Sequence, residues 1–512
     1  MMHLLFAALL LAPAQAEQHQ HPIERLGTVS FPVSCKADVQ PKFTRAVALL
    51  HSFWYEEAEK AFNEVARLDP RCGMAWWGVA MSNYHQVWPT PYSPAELARG
   101  VAAAKKAESI GAKTPRERGY IEAIAAFHRE GARAYEARME RLSAQFPDDD
   151  EASIFYGLAL VAHGMSMPTD KTYTYQKKAA EIFNRLLDTH PDHPGIAHYL
   201  IHSFDYPALA PLALKAAYAY AKIAPSSPHA LHMPSHIFVR LGMWDETIES
   251  NINSARAARE HAERTHPGTA AFDALHAYDY LTYAYLQRGE DAKVRQIVGE
   301  VSSLKALDVE NFGGYYAMAA IPARYAIERH RWDDAAKLTV RPAELPWDRY
   351  AYAEALTYFA RALGAARGGD PVRAAKDVDT LKQLRQKLLD QKSAYWADQV
   401  EVQRRAADAW IARAQGRNDE ALTLLASAAN LEDSMDKSPV TPGPIAPARE
   451  MLGDLLLELN RPEKALEAYE RSLKDSPNRL NGLSGAGRAA LMSGEGEKAR
   501  GYYGRVVELL GK

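Results

Sequence analysis

Small and aromatic residues recur along this chain at a fixed long interval. Gly453, Ala465 and Tyr469 return as Gly487, Ala499 and Tyr503, each 34 positions later. A period of that length marks one supersecondary unit repeated in tandem. The small residues let two helices approach closely, the aromatic fills the space between them, and a proline such as Pro477 ends the second helix. The same grammar occurs upstream. Tyr55-Glu-Glu-Ala58 with Phe62 and Pro70 is one copy, Ala179 with Phe183 and Pro191 another, and Ala213 with Pro225 a third. Trp244 to Thr247, Trp332 to Ala335 and Gly416 to Ala421 mark the same turn and second-helix start in later units.

This pattern resembles the tetratricopeptide repeat, from about Phe43 to Leu510. A helix-turn-helix unit cannot bury its apolar face alone, so the resemblance implies an all-α protein: a right-handed α-solenoid of stacked hairpins with essentially no sheet. Two stretches interrupt the array: Gln86 to Pro94, and the proline-rich 434–447 with Pro439, Pro442, Pro444 and Pro447. The second cannot be helix and is long for a connection, so it is either a functional loop over the groove or a linker. The expected organisation is 1–16 leader, 17–42 tail or extended segment, 43–433 degenerate repeats, 434–447 loop and 448–512 C-terminal repeat pair.

Composition narrows the function classes. The 512 residues carry 61 Lys plus Arg against 64 Asp plus Glu, a net charge of -3 that argues against a nucleic-acid or polybasic membrane binder. Leu4 to Ala12 is a nine-residue apolar run followed by Pro13 and Ala14-Gln15-Ala16, the pattern of a cleaved secretory signal. A periplasmic or secreted protein without a membrane span is expected. In an oxidising compartment, Cys35 and Cys72, the only 2 cysteines, become a candidate disulfide; two buried thiols are the alternative.

Histidine placement carries the chemical signal. Ten of the 18 His lie between His190 and His276. His198 and His202 are four apart, as are His232 and His236, and four-residue spacing places both imidazoles of a pair on one helix face. The pairs are offset by 34 residues, with Pro194 and Pro228 in the same register, so they occupy equivalent places in adjacent units. The repeat resemblance implies that these places line the concave groove. His229 precedes the second pair, and His276 with Asp279 enters from the following unit. Two to four imidazoles could thus converge on a single transition-metal ion, with possible carboxylate and thioether neighbours, the latter Met165, Met167 and Met233. Imidazole with thioether suits copper, and imidazole with carboxylate suits zinc or iron. The same histidines could instead bind an organic or peptide ligand, or be packing residues copied with the repeat. After cleavage at Ala16, Glu17-Gln18-His19 would form a second candidate site, for Cu(II) or Ni(II), with a loose polar tail as the alternative.

Tyr283 and Arg324 fall at the inward register, where an aromatic and a fixed guanidinium could hold an anionic or peptide ligand; inter-helix packing is the simpler alternative for the tyrosines of these units. No phosphate-cradling Gly-rich loop, Gly-x-Ser-x-Gly elbow or His-Glu-x-x-His motif is present. Two functions remain. One is an exported binding or scaffold protein whose groove holds a peptide, a protein partner or a small ligand, with a His-cluster metal site. The other is a metal-dependent enzyme centred on the same cluster.

Overall fold

The computed structural model of the chain describes residues 24–87 and 93–511. The expected leader 1–16, the Glu17-Gln18-His19 site and most of the Gln86 to Pro94 stretch lie outside the described residues. Within them the chain is all-α, a solenoid of helical hairpins in which consecutive helices pack on one another. The only pairing of extended backbone among these residues is an isolated bridge between Ala270 and Leu307.

The small-aromatic grammar works as physical spacing. A Cβ at Gly157 would lie 2.5 Å from the Phe183 ring, and one at Gly453 would lie 2.7 Å from the Tyr469 ring. Any larger residue there would separate two helices that share a core.

The N-terminal segment is an extended strap over the hairpin turns of the histidine-bearing units. Thr28 N–H donates to the Asp192 carbonyl at 2.9 Å, and Ser226 N–H donates to the Arg25 carbonyl at 3.2 Å. Leu26, Val29 and Phe31 are buried beneath it. Cys35 and Cys72 form the expected disulfide, with Cα atoms 5.1 Å apart, fastening the strap to the helix Gly73–Ser82.

The C-terminal repeat pair folds back onto the middle of the solenoid. Arg479, fully buried, donates to Glu328 at 2.6 Å and to Glu450 and Tyr283 at 3.0 Å. The intervening segment 434–447 is a loop seated on the inner surface. Tyr280 Oη donates to the Pro439 carbonyl at 3.0 Å, and Arg324 donates to the Pro444 carbonyl at 2.7 Å and the Gly443 carbonyl at 3.2 Å. Tyr283 and Arg324 both sit at the inward register: the chain's own loop covers Arg324, and Tyr283 lies under the same loop while lining a cavity of about 490 Å³ beside it.

Candidate metal centre

Two equivalent helical segments build the centre. Pro194–Phe204 and Pro228–His232 each open on a proline, which needs no hydrogen-bond partner for its nitrogen at that position. Each is capped by the preceding side chain: His193 Nδ1 accepts from Ile196 N–H, and Ser227 Oγ accepts from Ala230 N–H, both at 3.4 Å. Pro234 starts the next helix, Pro234–Leu241, in its first turn. Met233 at the junction keeps helical dihedrals, and its N–H donates to the His229 carbonyl at 3.0 Å. The four-residue spacing of His232 and His236 therefore survives the proline.

Six buried imidazoles form two triads. In the first, His198 Nε2 lies 3.1 Å from His202 Nε2 and 3.2 Å from His229 Nε2. In the second, His232 Nε2 lies 3.0 Å from His236 Nε2, and His276 completes a set whose ligand atoms fall within 4.8 Å of one another. Each triad thus takes a pair from one unit and a single imidazole from the next. The triads adjoin: the His202 and His236 rings are 6.0 Å apart, and those of His229 and His232 are 6.2 Å apart.

Hydrogen bonds fix where the protons sit. His198 Nδ1–H donates to the His51 carbonyl at 2.7 Å, leaving a bare lone pair on Nε2. Asn251 Nδ2 donates to the Thr247 carbonyl at 2.7 Å, which turns its Oδ1 toward His232 to accept from Nδ1–H at 2.6 Å. His236 Nδ1–H donates to Asp205 Oδ2 at 3.0 Å. Burial pushes the Asp205 carboxyl up, but Lys437 and Arg240 together hold it well below the usual carboxylate range, so it stays an acceptor. His232 and His236 consequently aim two lone pairs at each other. Burial lowers His198 to about 3 and holds His202, His229, His232 and His276 well below the ordinary imidazole value, so all are neutral at physiological pH.

A contrasting cluster shows what a self-sufficient arrangement looks like. His51, Glu151 and His193 are also buried together. There His193 Nδ1 accepts from a backbone N–H, so its Nε2–H donates to Glu151 Oε1 at 3.0 Å, and His51 Nε2 meets Glu151 Oε2 at 2.9 Å. Burial pushes Glu151 up, yet the two imidazoles hold it well below its ordinary value. Every contact there pairs a donor with an acceptor.

Around the first triad, Phe53 lays its ring 4.3 Å from His198 and 5.7 Å from both His202 and His229. Its φ of 53° is the left-handed position of the hairpin turn, which Gly289, His330 and Asn460 take at the equivalent place in other units. At the second triad Tyr280 stands edge-on to His232 at 4.7 Å while holding the loop.

The remaining candidates lie elsewhere. Asp279, expected among the ligands, is paired with Arg324 at 3.2 Å and belongs to neither triad. Met233 is buried, Met165 lines a neighbouring cavity, and Met167 is exposed. His51, Phe53, Asp205, Asn251 and Lys437 support the triads without having been singled out by spacing. Asp205 alone had a local clue, standing three residues after His202.

Residues 450–510 match the tetratricopeptide repeat family. No curated protein matches the chain. Similar solved structures include the human IFIT1 dimer with PPP-AAAA, 13% identical over 94% of this chain and 96% of that one at a TM-score of 0.39. Another is the APC/C hetero-tetramer Cut9-Hcn1, 13% identical over 91% of this chain and 93% of that one at a TM-score of 0.26.

Proposed function

We propose that this tetratricopeptide-repeat protein is an exported metalloprotein that holds two transition-metal ions side by side, one on each histidine triad. The observation that carries the reading is the pair of opposed lone pairs on His232 and His236, 3.0 Å apart, with both Nδ1 protons committed to Asn251 and Asp205. Two neutral acceptors pressed together in a buried site repel unless a cation lies between them, and burial disfavours an imidazolium there. Tetrahedral ligands bonded at about 2.0–2.1 Å stand about 3.3–3.4 Å apart, so two nitrogens 3.0 Å apart are near enough for one ion to bridge them with little movement.

Both nitrogen sets are neutral and free of carboxylate. A buried centre without anionic ligands favours low ionic charge, and nitrogen sites rank copper highest among divalent first-row metals. Copper is therefore the metal assigned, with zinc and iron as the competitors that measurement separates. The Asp205–His236 and His51–His198 hydrogen bonds would orient the ligands from behind, as such partners do in metal sites. Export is supported by the leader-like pattern at 1–16 and by the Cys35–Cys72 disulfide. The scaffold reading now has a narrower form, because the inner surface near Arg324 carries the chain's own loop.

Metal analysis of the purified full chain, reconstituted in turn with copper, zinc and iron salts, tests the reading. Two equivalents of copper are expected, falling to one in His198→Ala and to one in His232→Ala. A chain that stays metal-free after reconstitution, or keeps two equivalents in both variants, overturns it. A second reading, metal-dependent catalysis at this centre, is favoured by the cavity that reaches His202.

A further inference from the structure

A cavity of about 430 Å³ opens beside the first triad, with His202 and Asp205 in its inner wall. Its size falls in the range of about 300–1,000 Å³ common to small-molecule sites. Aromatic and apolar surface forms the sides: Tyr206, Tyr395, Trp396, Met165 and Met435. These walls come from three distant parts of the chain, and the loop holds them together. Ser438 N–H donates to Tyr395 Oη at 2.7 Å, and Asp436 N–H donates to the Pro168 carbonyl at 2.8 Å.

The inner end carries surplus positive charge. Asp205 is one carboxylate facing two cations, Arg240 at 2.8 Å and Lys437 at 3.3 Å. The adjacent Asp436 is paired with Lys171 at 2.7 Å. Arg240 takes the short contacts, donating also to the Asp205 carbonyl at 2.7 Å, so Lys437 keeps only the long ones. Its side chain is 10% exposed, and a buried ammonium held this loosely calls for an anion. At the same end, His202 Nδ1 makes no hydrogen bond, whereas the Nδ1 atoms of His198, His232 and His236 are each anchored.

We propose that this cavity binds a small planar aromatic molecule bearing an acidic oxygen, an aromatic carboxylate in its simplest form, with the ring against Tyr395 and Trp396 and the oxygen at the Lys437 end. The ring faces meet the aromatic walls, and the acidic oxygen supplies a second anion for Lys437, whose contacts to Asp205 are long, and an acceptor for His202 Nδ1–H. That such a molecule lies next to a metal centre rests on the reading above; the cavity and its cation do not.

Isothermal titration of the full chain with benzoate tests the proposal, using copper-loaded and chelator-treated protein whose metal content is measured in each sample. Cyclohexanecarboxylate and benzyl alcohol serve as probes lacking the ring and the charge. Saturable one-to-one binding of benzoate is expected, at least tenfold tighter than either probe. It should weaken at least tenfold in Trp396→Ala, a half-buried wall residue outside the triads, and in Lys437→Met. Absence of benzoate binding to metal-loaded protein overturns this proposal and leaves the metal reading standing. Benzoate binding to protein that never takes up metal supports the cavity and sinks the metal reading alone. Equal affinity for benzoate and cyclohexanecarboxylate, or equal affinity of wild type and Trp396→Ala, also overturns it.

Discussion

The Asp205 carboxylate accepts the Nδ1–H of His236 across 3.0 Å, and it does so while bound to Arg240 and Lys437. One anion thus orients a triad imidazole and ties it to the loop. Asp205→Asn keeps an acceptor but removes the charge. It should lower metal affinity at the second triad by about 10–100-fold, in keeping with substitutions behind metal ligands. Competition against a chelator of known affinity measures this, and an unchanged affinity in a variant that still melts cooperatively would remove Asp205 from that role.

Arg479 joins the C-terminal repeats to the solenoid. It is buried with Glu328 and Glu450. Arg479→Met leaves two buried carboxylates without their cation and should cost about 3–5 kcal/mol. Urea unfolding followed by circular dichroism reads the loss. A shift under 1 kcal/mol, roughly the scale of a surface pair, would show that the docking rests on other contacts.

The disulfide makes a simpler case. Cys35 and Cys72 are 37 residues apart, and a bridge closing a loop of that size contributes about 2–4 kcal/mol, chiefly by restricting the unfolded chain. The Cys35→Ser/Cys72→Ser double variant should melt several degrees lower than wild type. Proteolysis near the strap should quicken with it, because the buried Phe31 anchor would loosen.

Asp454 gives a pH dependence with a definite sign. Burial pushes its carboxyl up to about 7, while Tyr469 Oη donates to it at 2.6 Å. Its value in the unfolded chain is about 3.9, so between the two values the folded state holds a proton that the unfolded state has released. Stability contributed by this group is therefore present at acidic pH and declines as pH rises toward 7, then stays flat. Asp454→Asn retains an acceptor for Tyr469 and cannot ionise. The residue is half-buried, so the gain should be modest, about 1–2 kcal/mol at pH 8 and none near pH 4. Denaturant titrations at both pH values check it; an equal effect at the two would show that ionisation is not the cause.

The pattern of residues discloses the centre unevenly, and the reason is physical. The pairs His198/His202 and His232/His236 can be read from sequence because helical spacing is local and the 34-residue offset carries it from unit to unit. His51, Phe53 and Lys437 cannot, since two sit at the end of the first helical hairpin's leading helix and one in a distant loop, with no period linking them to the triads. Asp279 illustrates the opposite error. It stands three residues after His276, yet its carboxylate turns to Arg324 because a buried guanidinium offers the stronger partner. For Arg324 the inward register was readable, but the loop occupying that space follows no periodicity.

All six triad imidazoles precede residue 277, whereas the loop resting on the centre begins at residue 434. The stretch of chain that supplies the imidazoles therefore emerges well ahead of the stretch that covers them. An ion admitted at that stage is enclosed when the loop takes its place through Tyr280 and Lys437. Release afterwards requires the loop to lift or the ion to pass through the cavity at His202. An ion on the triads would therefore exchange with solvent slowly, which sets the incubation time that reconstitution and chelator competition need.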